Sequence, residues 1–149
     1  RFIMSIPKSV DLILKAGKLS GKLSKYGEIF ILKMPAINIM DLAKIMIKHL
    51  NTNNENKKDI QIKIVGKRPG EKLYEELMTD LESEQAYENN EMFVINFINP
   101  YDEFIPFSMP KGFIKTTRKK YLSSDEKLLS ENEIFDILKT NDLWEEEHC

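Results

Sequence analysis

Gly66-Lys67-Arg68-Pro69-Gly70-Glu71-Lys72-Leu73-Tyr74-Glu75-Glu76-Leu77 joins two kinds of hydrophobic periodicity. On its N-terminal side Ile60, Ile62, Ile64 and Val65 alternate with Gln61 and Lys63, which predicts a short half-buried strand. On its C-terminal side Leu73, Tyr74, Leu77 and Met78 recur at helical spacing, which predicts a helix starting near Glu71. Gly66, Pro69 and Gly70 set a tight turn between the two, because glycine admits positive φ and proline fixes its own. The turn places Arg68 three residues before the carboxylate of Glu71, at the expected mouth of the helix. A guanidinium binds phosphate bidentately, and helix N-termini favour anions. An ionised carboxylate only accepts hydrogen bonds, which suits sugar hydroxyls and not phosphate. The pair therefore fits a nucleotide or nucleotide-sugar, with Arg68 on the diphosphate and Glu71 on a ribose. The competing reading is structural: a solvated loop arginine, and a glutamate that complements the dipole of the first helical turn.

Working outward, Ile6, Val10, Ile13 and Leu14, with Ser5 as cap and Pro7 in the first turn, predict a helix ending near Gly17. Lys18 to Gly27 reads as a polar loop, and Glu28-Ile29-Phe30-Ile31-Leu32 as a buried strand stopped by Pro35. Asn38 caps a helix whose core stripe is Ile39, Leu42, Met46, Ile47 and Leu50. Residues 51–59 are a polar surface insert, and residues 79–91 a solvated acidic segment. Met92 to Ile98 is a second apolar strand, followed by a proline- and aromatic-rich irregular loop from Asn99 to Gly112. Ser130 and Glu133 form a capping box ahead of Ile134, Ile137 and Leu138, and residues 141–149 form an acidic tail expected to fray. Together these elements give an α/β chain.

The 149 residues suffice for one domain, with 42% hydrophobic and 31% charged residues placing it among globular proteins. A net charge of −2 argues against a nucleic-acid footprint, which would need a basic face. No apolar run reaches the roughly 18 residues of a membrane span. The single cysteine, Cys149, is terminal, which points to a reducing compartment and argues against a catalytic thiol, because a chain end is too mobile to be held against a base. His49 and His148 have no neighbours at metal-ligand spacing, so no metal site is expected, and His49 is at most a favourable cation near a helix end. There is no Gly-x-Gly dinucleotide turn, no Tyr-x-x-x-Lys pair and no Gly-x-Ser-x-Gly elbow, so neither catalytic nor cofactor-binding residues are expected in this chain.

Arg1-Phe2-Ile3-Met4-Ser5-Ile6-Pro7, Gly27 to Pro35, Asp41-Leu42-Ala43, Arg68 to Leu73 and Tyr121 to Leu129 occur in that order. In this order they resemble the C-terminal part of the CapD-type polysaccharide-biosynthesis proteins, the UDP-N-acetylglucosamine 4,6-dehydratases and 5-epimerases. The resemblance implies an extended short-chain dehydrogenase/reductase whose Rossmann half, largely absent here, holds NAD(P) and the catalytic residues. It implies that residues 1–140 are the substrate-binding subdomain, that Arg68 and Arg1 approach the diphosphate and that Glu71 binds the ribose. Tyr74 stands where a histidine is often found. The implied activity is cytoplasmic handling of a UDP-sugar, with the chain a fragment or split product, inactive alone. Its partner would be a separate N-terminal Rossmann half or a further copy of the chain. The alternative is a non-catalytic binding or scaffold module that keeps the fold without the nucleotide. An apolar face left by the missing half is expected at Phe2, Ile3, Phe104 and Phe107.

Overall fold

The computed structural model describes residues 1–23, 27–53, 60–96 and 111–140. In chain order the elements are α1 (Ile6–Leu23), β1 (Glu28–Leu32), α2 (Ile39–Asn53), β2 (Glu76–Met78), α3 (Asp80–Ser83), β3 (Ala86–Glu88), β4 (Met92–Asn96), β5 (Ile114–Lys115), β6 (Tyr121–Leu122) and α4 (Glu131–Thr140). Residues 97 and 98 of the expected second strand, the loop 99–110 with Phe104 and Phe107, residues 54–59, and the tail with His148 and Cys149 lie outside the described residues. The chain is mixed α/β, its strand pairs are antiparallel, and it divides into two compact units.

The unit of Ile6–Met34 and Glu76–Leu122 is built on a four-stranded sheet of order β1-β4-β3-β5. The two apolar runs of the sequence pair in register, Glu28 opposite Asn96 through Leu32 opposite Met92. Alternation along these strands sends Phe30, Met92 and Val94 to one face, where Leu12 and Leu19 of α1 pack with Phe113. The spacing of Leu12 and Leu19 explains why α1 runs on to Leu23, past the expected stop at Gly17 and into the expected polar loop. A mid-helix glycine costs only about 1 kcal/mol, and the second apolar contact on the sheet offsets it. Phe93 is fully buried, with its ring 5.0 Å from that of Tyr121. The Tyr121 hydroxyl accepts from Met34 N at 2.6 Å and donates to Met34 O at 3.0 Å. The outward side of α1 carries Ile6, Val10, Ile13 and Leu14, all exposed, whereas Phe2 and Ile3 are half-buried. Among the described residues the clearest apolar stripe is therefore on this helix and not at Phe2 and Ile3.

Residues 79–91 are not merely a solvated acidic segment. Thr79 and Glu82 form a capping box that starts α3, and Glu88 in β3 is largely shielded. Glu88 accepts from Lys33 Nζ at 2.5 Å and from Thr116 Oγ1 at 2.8 Å. Burial works against its charge, but those hydrogen bonds and the nearby Lys33 and Arg118 hold its carboxyl below the ordinary value of 4.5. A carboxyl depressed in the folded state contributes stability above its unfolded pKa and loses it as pH falls through the folded one. Glu88→Gln should thus cost about 1–2 kcal/mol at neutral pH. The gap to wild type should close as pH drops below 4.5. Thermal melts at neutral and strongly acidic pH check this, and an equal gap at both would refute the assignment.

The unit of Arg1–Ser5, Pro35–Glu75 and Ser123–Cys149 packs α2 on α4. Asn38 Oδ1 accepts from Met40 N at 2.8 Å, as the expected cap requires. The core uses Ile37, Leu42, Ile45, Ile134 and Leu138, while Ile39, Met46 and Leu50 are exposed. Helix α2 is apolar on more than one side, so the stripe that faces α4 is set by the partner and not by α2 alone. His49 lies on the packed side, its ring 5.8 Å from that of Phe135. The Ser130–Glu133 box is present, with Ser130 N donating to Glu133 Oε2 at 2.8 Å.

Two expectations fail in this unit and at its edge. Residues 60–65 form no strand, and Ile64 and Val65 are 78% and 77% exposed. Alternation alone cannot make a strand without an edge to pair with. No helix starts at Glu71 either. Ser123 claims the backbone of Glu75, its Oγ accepting from Glu75 N and its N donating to Glu75 O, both at 2.9 Å. Beyond that point Glu76 to Met78 pair with β6 as β2.

Candidate functional site

Pro69 and Gly70 form the expected turn, and Gly66 and Gly70 take φ of 78° and 81°, which is where side chains are disfavoured. Glu71 N donates to Arg68 O at 3.1 Å and Arg68 N to Glu71 Oε2 at 3.1 Å, a reciprocal pair that closes the turn. One carboxylate oxygen of Glu71 is thereby held, and the other stands 4.0 Å from the guanidinium of Arg1.

Arg1 is fixed from several directions. Its backbone exchanges hydrogen bonds with Ile37, with N to O at 2.8 Å and O from N at 2.7 Å. Its Nη2 donates to Lys72 O at 2.9 Å, and its Nη1 lies 3.7 Å from Glu75 Oε1. Glu75 Oε2 in turn accepts from Phe2 N at 2.7 Å. Arg1 and Glu71 are 70 residues apart in sequence and meet because residues 1–2, 35–37 and 71–75 are tied together.

Both line an open cleft of ≈ 750 Å³ within this unit. Its wall also holds the capping residue Asn38 and the start of α2 (Ile39 and Met40), residues 62–67, Tyr74, Ser123 and Ser124. Arg1, Lys63, Lys67 and Lys72 oppose the single carboxylate of Glu71, so the cleft favours an anion. The N-terminus of α2 adds the positive end of its dipole. The exposed residues Ile62, Ile64 and Val65 serve as lining, which is what their failed strand becomes.

Of the three residues expected to bind substrate, Arg1 and Glu71 are brought together in the cleft. Arg68 is exposed on the turn and its side chain is not part of the lining. Lys63 and Lys67, on either side of Ile64-Val65-Gly66, were not among the expected binding residues, and the one signal they carry is charge beside a turn. Ser123 and Ser124 lie within the Tyr121 to Leu129 stretch that carries the resemblance, and no role was expected of them. Among the described residues no cluster of three or more His, Cys, Asp or Glu could hold a metal, and no helix is long and apolar enough to cross a membrane.

Comparison with known proteins adds the following. The family described as "Polysaccharide biosynthesis protein" matches residues 1–97. An uncharacterized membrane protein of Methanocaldococcus jannaschii is 44% identical over 93% of this chain and 38% of its own length. The capsular polysaccharide biosynthesis protein CapD of Staphylococcus aureus is 41% identical over 59% of this chain and 14% of its own. A UDP-glucose 4-epimerase of Rickettsia rickettsii is 33% identical over 99% of this chain and 40% of its own. Among solved structures, Pen from Bacillus thuringiensis superposes with a TM-score of 0.75 at 34% identity, over 96% of this chain and 38% of that one. The chain thus spans about two fifths of most of these relatives. Its matched motifs agree with the CapD-type resemblance, and the chain belongs to the polysaccharide biosynthesis protein family.

Proposed function

We propose that this chain is the sugar-nucleotide-binding portion of a UDP-N-acetylglucosamine 4,6-dehydratase-like enzyme of polysaccharide biosynthesis. The observation that carries the reading is the meeting of Arg1 and Glu71, 4.0 Å apart, on a predominantly cationic cleft. In this reading Arg1 and the turn residue Arg68 take the diphosphate, and Glu71 accepts from ribose hydroxyls. The UDP-glucose epimerase among the relatives supports a UDP-sugar as ligand class. The reading also takes residues 1–140 as a substrate-binding subdomain that works with a Rossmann half in the cytoplasm. NAD(P) belongs to that half. The described residues here have no Gly-x-Gly turn, and the strands β1 to β6 pair antiparallel with a single parallel bridge at Ala36 and Leu128, so they do not fit a dinucleotide cradle and no chemical step is assigned to them.

Glu71 provides the test. Glutamine keeps one acceptor for Arg68 N, so the turn survives, but it donates where a ribose hydroxyl would donate. Glu71→Gln should weaken UDP binding by about threefold to tenfold and leave inorganic pyrophosphate binding undiminished or tighter, since it also removes a negative charge beside Arg1, as measured by calorimetric titration. A glutamate that only closes the turn predicts equal changes for the two ligands, and that result would favour the non-catalytic module.

A further inference from the structure

Glu75 is the residue in this region that the reading so far leaves without a role. It does not line the cleft. Its carboxylate nevertheless joins the residues that do. Oε1 stands 3.7 Å from Arg1 Nη1, and Oε2 accepts from Phe2 N at 2.7 Å. Its backbone is pinned on both sides by Ser123, at 2.9 Å in each direction.

We infer that Glu75 is a positioning residue that aims the Arg1 guanidinium at the diphosphate of a bound nucleotide. The inference rests on the proposal that the cleft takes a nucleoside diphosphate. Arginine has a planar fork of donors on a flexible stem, so its value as a phosphate ligand depends on how much of its motion is removed beforehand. Here the carbonyl of Lys72, at 2.9 Å, and the carboxylate of Glu75 hold the fork. Glu71, at 4.0 Å, makes the longest of the three contacts and is the exchangeable one. A diphosphate entering the cleft replaces Glu71 beside Arg1 and frees that carboxylate for the ribose. Glu75 stays, because the Phe2 N–H holds it in place.

Stability is not an adequate account of the pair. The side chains of Arg1 and Glu75 are 31% and 39% exposed, and ion pairs so open to water contribute little to folding. Charge alone predicts the opposite sign from positioning. A carboxylate beside an anion site repels the ligand, so its removal should tighten binding unless the carboxylate orients the cation.

The experiment is a double-mutant cycle of Arg1→Ala and Glu75→Gln, titrated calorimetrically with inorganic pyrophosphate and with UDP. Glutamine is isosteric and still accepts from Phe2 N, so thermal melting should match wild type. Glu75→Gln is expected to weaken both ligands about threefold to tenfold. In the Arg1→Ala background the same change should produce no further loss. Unchanged or tighter binding in the Glu75→Gln single variant overturns the inference, as does an equal loss with and without Arg1. Wild-type chain that fails to bind UDP, or Arg1→Ala that binds like wild type, overturns the diphosphate reading itself and removes the residue through which Glu75 acts.

Discussion

Phe93→Ala should destabilise its unit by about 3–5 kcal/mol, the usual cost of emptying a buried aromatic site. Phe93 is 0% exposed at the centre of β4, between β1 and β3. Its ring faces Tyr121 at 5.0 Å and lies 4.7 Å beneath Lys33 Nζ. Truncation therefore removes dispersion contacts and a cation–π contact together, and leaves a void that the hydrogen-bonded neighbouring strands cannot close. Hydrogen exchange at the amides of Val94 and Ile95 reads this unit directly and should show protection falling by a corresponding amount. Phe93→Leu, which keeps most of the volume, should lose much less. A drop below about 1 kcal/mol for the alanine variant would mean that the sheet is held elsewhere.

The elements legible in the sequence are those whose signals are local. β1 runs from Glu28 to Leu32 as the apolar run implies, and Ser130 with Glu133 marks the start of α4 through a hydrogen-bonded box confined to one turn. Failures occur where a partner distant in sequence decides. Residues 60–65 alternate like a strand but have no edge to join, and they become cleft lining. Glu71 to Met78 has helical spacing, yet Ser123 and β6 capture its backbone. Helix α1 overruns Gly17 because Leu19 finds the sheet, and α2 buries Ile45, which the expected stripe omitted, while Ile39, Met46 and Leu50, which it included, are exposed.

The site was legible to a similar extent. Gly66, Pro69 and Gly70 announced the turn, and the resemblance brought in Arg1, which no local pattern would have selected. That Arg1 meets Glu71 depends on the pairing of residues 1–3 with 35–37, a tertiary fact. The placement of Arg68 outside the lining likewise follows from how the turn is tied, with Glu71 holding its backbone while its side chain faces solvent.

Arg68→Ala is the second large effect. If the turn arginine completes the diphosphate site from the rim, its loss should weaken UDP by about 1.5–3 kcal/mol, the range for a hydrogen bond to a charged group. Arg68→Lys should recover only part, since a point charge does not reproduce the planar fork. Neither change should disturb folding, because the side chain is exposed and Arg68 takes part in closing the turn through its backbone N and O. The most direct measurement is a calorimetric UDP titration of wild type beside Arg68→Ala and Arg1→Ala. The expected result is saturable binding of one UDP per chain that drops roughly tenfold or more in each variant. Equal affinity in all three proteins would contradict a diphosphate site here and leave the turn as structure alone.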